Sequence, residues 1–175
     1  MFTSLSYLKK HTPENGTDRE SYLSLLVDEY LNSASNDAKC QVLANLANFA
    51  YDPINFGYIR DVGVFDIFLY VIKNECNPQL LHFATTGISN LCPDPLNIEY
   101  LLEHGGLKSL QVLLKSTHSE TVSDVITIFI YLYNSERKSL IKDSEVIQQI
   151  QTLEGSESKV ISSLATIFLE NNTEK

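Results

Sequence analysis

The sequence predicts an all-α fold built from stacked helical repeats, and three observations support this prediction. A stretch around Asn48 recurs without a gap 42 positions later, around Asn90. Within each copy the apolar residues follow helical spacing, and a period of about 40 residues made of helical patterns is typical of solenoid repeats. With 175 residues, 43% hydrophobic and 20% charged, the chain has the size and composition of one globular domain.

The recurrence is visible at six polar or turn-forming positions that share one offset. The pairs are Asn48 and Asn90, Asp52 and Asp94, Pro53 and Pro95, Asn55 and Asn97, Tyr58 and Tyr100, and Gly63 and Gly105. Apolar positions correspond as well, for example Leu46 with Ile88 and Phe65 with Leu107. Both copies therefore need similar neighbours to bury similar faces.

The pattern divides the chain into an N-terminal tail and one repeat domain. Residues 1–17 show no sustained period, and we expect a mobile tail there. The domain is predicted to span 18–171, with an N-terminal helix at 18–32, repeats at about 36–76, 77–117 and 118–154, and a closing helix at 157–170. Atypical terminal units are expected, because each must present one face to water.

The first helix has a start signal and an apolar stripe. Thr17 and Glu20 have the spacing of a capping box, in which each side chain bonds the other residue's free backbone N–H. The predicted apolar stripe consists of Tyr22, Leu23, Leu26, Val27 and Tyr30.

The first full repeat is predicted to contain a long, a short and a medium helix. Asn36 or Asp37 is expected to cap the long helix, whose buried face is formed by Val42, Leu43, Leu46, Phe49 and Ala50. Asp52 followed by Pro53 indicates a new N-cap with proline at the first helical position. Gly63 is expected to end the short helix 54–61.

Later units repeat this plan with increasing divergence. The second has helices at 78–91, 95–103 and 107–115, with Gly105-Gly106 between the last two. In the third, Tyr131 replaces the asparagine and Asp143-Ser144 replaces the glycine hinge. We expect the closing helix to bury Val160, Ile161, Leu164, Ile167 and Phe168.

No constellation in the sequence predicts catalysis, a metal or another cofactor, or a small-molecule substrate. Cys40, Cys76 and Cys92 are an odd number without CxxC spacing, which favours buried thiols in a reducing compartment. Cys92 takes the position of buried Ala50 in the repeat, so we interpret it as a core thiol. Four histidines are scattered along the chain with no pair at i, i+4.

The net charge indicates which kinds of partner the chain can bind, and the hydropathy indicates whether it spans a membrane. A net charge of −9 works against non-specific binding to nucleic acid and weakly favours a basic partner. No window contains 18 consecutive apolar residues, so we expect no membrane-spanning segment.

The motif residues resemble those of the armadillo-repeat family. The resemblance lies in the long helix, which carries Ala44-Asn45-Leu46-Ala47-Asn48, and in the glycine between the short and medium helices. It extends from about Tyr22 to Glu170. It implies an armadillo-type right-handed solenoid of about three repeats with capping helices.

This resemblance, closest to one small branch of the family, also implies a function. Proteins of that branch are non-enzymatic adaptors associated with the splicing machinery, notably the minor spliceosome. They pair with an RNA-recognition-motif protein, RNA-binding motif protein 48, so contact of this chain with RNA would be indirect or minor. The implied location is the nucleus, or the nucleus and the cytoplasm. Direct RNA binding by the helical repeats is the alternative.

Peptide-binding armadillo proteins use the asparagine of the third helix to hydrogen-bond a ligand's backbone, and the resemblance carries this role to Asn48 and Asn90. The chain has no Trp for the flanking positions, so lysine-stem binding between Trp rings is not expected. By register, the predicted partner-binding surface comprises Asn45, Asn48, Thr86, Asn90, Thr127, Tyr131 and Ser163. A purely structural role, in which the amides bond nearby backbone, remains open for Asn48 and Asn90. Tyr131 is either an interface anchor or a gap-filler beneath the closing helix.

Overall fold

A computed structural model describes residues 2–3, 18–141 and 144–173, and these residues form ten α-helices and two short 3-10 turns. The predicted tail at 1–17, its residues 2–3 excepted, and the predicted hinge residue Asp143 lie outside the described residues. Contacts divide the chain into two compact units, Met1–Asp94 and Pro95–Lys175, which are described separately. In the part of the chain that is described, every helix is too short or too polar to cross a bilayer.

Unit 1 contains five helices in a long, long, short, medium, long order. They are α1 (Arg19–Asn32), α2 (Asn36–Ala50), α3 (Phe56–Asp61), α4 (Val64–Asn74) and α5 (Pro78–Leu91), and the 3-10 turn Pro53–Asn55 precedes α3. The long helices α2 and α5 pack against each other, α1 packs on α2, and α4 packs on α5. The repeated long helices therefore form the centre of this unit.

Unit 2 contains the remaining five helices. They are α6 (Pro95–Glu103), α7 (Gly106–Leu113), α8 (Ser119–Tyr133), α9 (Ser144–Glu154) and α10 (Lys159–Thr173), with a 3-10 turn at Lys138–Leu140. The closing helix α10 packs on both α8 and α9. Arg137 binds Glu99 at the surface of this unit through Nη2–Oε2 and Nε–Oε1 contacts of 2.6 and 2.8 Å, and this hydrogen-bonded pairing lowers the pKa of Glu99.

Short polar side chains set the helix starts, in two cases at a different residue from the predicted one. Asp18 caps α1 by accepting from the Ser21 N–H at 2.8 Å, whereas the predicted cap Thr17 lies outside the described residues. Ser35 caps α2 through the Ala38 N–H, so the prediction of Asn36 or Asp37 was wrong. A serine hydroxyl reaches the third following amide as well as an Asx side chain does, so the sequence offered three adjacent candidates.

The turn predictions for the repeats are confirmed. Asp52 caps the 3-10 turn that starts with Pro53, and α3 follows it directly. Gly63 and Gly105 have positive φ angles of 78° and 69°, the left-handed conformation that other side chains resist. These two glycines therefore end the short helices at the same point in each repeat.

The core consists of the apolar faces that the repeat pattern indicates, with one correction in α10. Fully buried large side chains include Leu43, Leu46, Phe65, Phe68, Ile88, Phe129 and Phe168. On α10, however, Val160 and Ile167 are 60% and 45% exposed, so their predicted core position was wrong. Ile161, Ala165 and Phe168 follow i, i+4, i+7 spacing and form the buried stripe, which leaves Val160 and Ile167 on a different side of the helix.

Tyr22 is also more exposed than the predicted stripe requires. Its side chain is 43% exposed, although its ring still packs against Phe49 at a centroid distance of 5.6 Å. Leu23, Leu26 and Tyr30 form the buried side of α1. An aromatic ring is long enough to reach the neighbouring helix from the edge of the stripe.

Close packing between α4 and α5 gives a direct test of the unit 1 core. A Cβ at Gly87 would lie within 3.0 Å of three ring carbons of the fully buried Phe68, whereas a Cβ at Gly57 in α3 would meet nothing within 4 Å. We expect Gly87→Ala to lower the free energy of unfolding by about 1–3 kcal/mol, because Phe68 must move. Gly57→Ala should raise it by about 0.5–1 kcal/mol.

Chemical denaturation of the two variants measures both effects. Equal stability of Gly87→Ala and Gly57→Ala would contradict the close α4–α5 packing.

Candidate functional site

The exposed side of α2 carries a row of uncharged amide side chains. Gln41, Asn45 and Asn48 are all exposed, and their i, i+4, i+7 spacing places them on one side of the helix. No side-chain hydrogen bond to them is found among the described residues. Each amide offers two donors and an acceptor, so this row can bind polar groups of a partner.

Asn90 has a different environment from Asn48. Its Nδ2 donates to the carbonyl of Ala47 on the neighbouring helix α2, at 3.1 Å. In a regular helix that carbonyl would accept a hydrogen bond from the Tyr51 N–H. The Tyr51 N–H donates instead to the Asn48 carbonyl, at 3.2 Å. Asn90 thus satisfies a carbonyl that the end of α2 leaves open, which supports the structural role for this residue.

Thr86 lies one turn before Asn90 on α5 and is half-buried. Its Oγ1 is 3.4 Å from Nδ1 of His82, one turn earlier still. In unit 1 the predicted residues therefore lie on two packed helices. Asn45 and Asn48 belong to the open amide row on α2. Thr86 and Asn90 lie on α5, where their side chains contact other groups of the chain.

The three predicted residues of unit 2 lie on α8 and α10. Thr127 is half-buried and its Oγ1 donates to the Ser123 carbonyl at 2.9 Å, a bond within its own helix. Tyr131 is 37% exposed, whereas Tyr133 is buried and meets the ring of Phe168 edge-on at 5.6 Å. Tyr133 thus packs against the closing helix and Tyr131 faces solvent. Ser163 on α10 is exposed.

Sequence reasoning missed the importance of Asn55, although its recurrence as Asn97 was visible. Asn55 is 1% exposed and Asn97 is fully buried. The Asn55 Nδ2 donates to the Phe49 carbonyl at 2.7 Å, and its Oδ1 accepts from Arg19 Nη1 at 2.8 Å. This side chain therefore ties the end of α2 to the following turn and to α1. A repeated asparagine in a short helix was the available signal.

Asp52 and Asp94, the recurring acidic pair, both have structural partners. Asp52 accepts from the Ile54 N–H and from the Thr3 N–H, the latter at 3.0 Å. Burial raises the pKa of Asp52, but these hydrogen bonds outweigh it and the net direction is downward. Asp94 forms an ion pair of 3.0 Å with Arg60. Both carboxylates thus stabilise the turn between helices.

The cysteines and histidines form no reactive centre in the described residues. Cys92 is buried, and burial raises the pKa of its thiol to about 12, which disfavours the nucleophilic thiolate. The His104 ring stacks on Tyr100 at 3.9 Å. Within 18–141 and 144–173 no three His, Cys, Asp or Glu side chains are grouped as metal ligands would be.

Comparison with solved structures confirms the predicted armadillo-type fold. The chain superposes on designed armadillo repeat proteins for modular peptide recognition with a TM-score of 0.76 at 20% identity, over 85% of this chain and 63% of theirs. A designed armadillo repeat protein in complex with the peptide (KR)4 gives 0.76 at 19% identity, with the same coverage. The chain thus spans less than two thirds of the length of these designed proteins. Its fold is that of the armadillo repeat proteins.

The particular family follows from a curated relative. The chain is 42% identical over 155 residues to Armadillo repeat-containing protein 7 of Mus musculus, covering 87% of this chain and 78% of the mouse protein. It belongs to the family of Armadillo repeat-containing protein 7. No protein-family profile matches the chain.

The different environments of the thiols predict selective alkylation. Cys76 is exposed and Cys92 is buried, so iodoacetamide should modify Cys76 in the native protein while Cys92 reacts only after denaturation. Peptide mass spectrometry of protein treated with and without denaturant measures this. Modification of native Cys92 at the rate of Cys76 would contradict its core position.

The Asn90–Ala47 hydrogen bond predicts that the two repeated asparagines differ in their effect on stability. Asn90→Ala should lower the free energy of unfolding by about 1–2 kcal/mol, because the Ala47 carbonyl loses its partner. Asn48→Ala is the matched control at the same repeat position and should stay within about 0.5 kcal/mol of wild type.

Urea denaturation of the two variants measures the difference. Equal destabilisation by both substitutions would show that the bond to Ala47 contributes nothing specific.

Proposed function

We propose that this protein is a non-enzymatic adaptor that holds an RNA-recognition-motif protein of the splicing machinery, similar to RNA-binding motif protein 48, and that it acts in the nucleus as part of the minor spliceosome. The single observation that carries the binding role is the open amide row of Gln41, Asn45 and Asn48 on α2. The class of partner is the one that the resemblance to this branch of the armadillo family implies.

The chemistry of the row suits recognition of a partner's main chain. Each peptide unit of a bound segment presents one N–H donor and one carbonyl acceptor that must stay paired when water leaves. A primary amide can satisfy both at once. Since the row is uncharged, it fits a backbone better than a strongly charged side chain.

Two further facts support protein binding over the alternative of direct RNA binding. One of the solved proteins with this fold holds a peptide, (KR)4. The amide row itself contains no Lys or Arg, and the chain has a net charge of −9. Phosphate contacts, which supply most of the affinity for nucleic acid, need basic side chains.

The test measures binding of the full chain to purified RNA-binding motif protein 48 by biolayer interferometry. The triple substitution Gln41→Ala, Asn45→Ala, Asn48→Ala should weaken binding at least about tenfold, because several interface hydrogen bonds are lost together. Gln151→Ala is the matched control: it removes an exposed amide of α9 and should change nothing. Circular dichroism checks that both variants remain folded.

Three outcomes distinguish the parts of the proposal. Equal binding by the triple variant and wild type would move the site away from α2 while keeping the partner. No binding to this partner, together with no splicing protein captured from nuclear extract, would overturn the splicing role. Binding of RNA alone, with an affinity that falls steeply with salt, would favour the RNA-binding alternative.

A further inference from the structure

A cavity of about 520 Å³ opens between α1 and α4 in unit 1. Its walls are mainly apolar and are formed by Val27, Tyr30, Leu31, Ile67 and Tyr70. Two of these side chains are unusually exposed for their type: Leu31 at 65% and Tyr70 at 53%.

Opposite charges line the same cavity. Lys39 at the start of α2 and Asp66 on α4 both contribute to its wall. The Lys39 Nζ lies 5.2 Å from the centre of the Tyr30 ring and forms no ion pair within the described residues. The cavity therefore offers an apolar surface with a positive and a negative group.

Tyr30 adds an unsatisfied polar group beside the cavity. Its side chain is 2% exposed, and its hydroxyl has no hydrogen-bond partner within the described residues. Burial, followed by the charge of Glu75, raises its pKa to about 12, so the hydroxyl keeps its proton at neutral pH. A buried hydroxyl without a partner is unusual in folded proteins.

This cavity and the amide row lie on opposite sides of α2. Asn48 lies nine positions after Lys39, which is about two and a half turns at 3.6 residues per turn. The amide row therefore faces away from Lys39, the α2 residue that lines the cavity.

We propose that the groove between α1 and α4 is a second docking site, which binds an amphipathic helix of a partner protein. The apolar stripe of that helix packs on Leu31 and Tyr70, and its flanks carry an acidic residue toward Lys39 and a basic residue toward Asp66. The proposal goes beyond the adaptor role at the amide row, because it provides a second, independent contact.

Geometry favours a helix over an extended segment. An extended peptide that binds by strand addition pairs its main chain with the free backbone donors and acceptors of a sheet edge. The groove is lined mainly by side chains of α1, α2 and α4, and the described residues contain no strand that could offer such an edge. The ridge of a third helix packs into such a groove with apolar side chains at i, i+3, i+4 and i+7.

The test uses three synthetic helical peptides of about 14 residues, roughly 21 Å long. All carry leucines at i, i+4 and i+7; their flanks are Glu on one side and Lys on the other, Glu on both sides, or Lys on both sides. Fluorescence anisotropy measures their binding to the full chain. The peptide with mixed flanks should bind about fivefold tighter than either of the others, since it alone pairs with both rim charges.

Substitutions then locate the site. Leu31→Ser should weaken the mixed peptide about tenfold, whereas Leu25→Ser is the matched control because Leu25 is similarly exposed, at 59%, on the same helix. Lys39→Glu makes both lining charges negative, so the peptide with Lys on both flanks should become the tightest. This test compares the three peptides on the same variant, so a loss of stability in Lys39→Glu would not by itself change which peptide binds tightest.

The proposal is overturned if none of the peptides binds saturably, if all three bind equally, or if Leu25→Ser weakens binding as much as Leu31→Ser. Sedimentation velocity adds a further check. Self-association of the chain that disappears in Leu31→Ser would assign the groove to a second copy of this protein and would also overturn the proposal.

Discussion

The long helices depend on how their last carbonyl groups are satisfied, because a helix end leaves up to four carbonyls without an intrahelical donor. At the end of α2, two asparagines from different places in the sequence supply donors. Asn55 bonds the Phe49 carbonyl from the following turn, and Asn90 bonds the Ala47 carbonyl from the next long helix. Amide side chains thus connect α2 both to its own repeat and to its neighbour.

This arrangement explains why one residue type serves two purposes at the same position of successive repeats. Asn48 and Asn90 occupy equivalent positions in the sequence, yet Asn90 contacts a neighbouring backbone and Asn48 faces solvent. The hydrogen bond to the Ala47 carbonyl distinguishes the structural amide of Asn90 from the amide of Asn48, which is available to a partner. For this reason the proposed interaction site of unit 1 lies mainly on α2.

Much of the fold could be predicted from the sequence, since proline, glycine and helical spacing act locally. The caps at Asp52 and the left-handed glycines Gly63 and Gly105 depend only on nearby residues. The exposure of Val160 and Ile167 and the bond from Asn90 to Ala47 depend instead on how helices rotate against each other, which one sequence does not specify. For the same reason the role of each site residue and the groove between α1 and α4 became visible only in three dimensions.

The ion pair between Arg137 and Glu99 has a consequence for the dynamics of the third, most divergent repeat. Arg137 directly precedes the 3-10 turn Lys138–Leu140, in the segment that lacks the glycine hinge. The side chain of Arg137 is 53% exposed and that of Glu99 is 36% exposed. Exposed ion pairs are weak and are screened by salt. Local opening of this segment therefore becomes easier as ionic strength rises, and it needs far less free energy than global unfolding. The order of the repeat that has lost most of its sequence signature thus depends in part on the ionic environment.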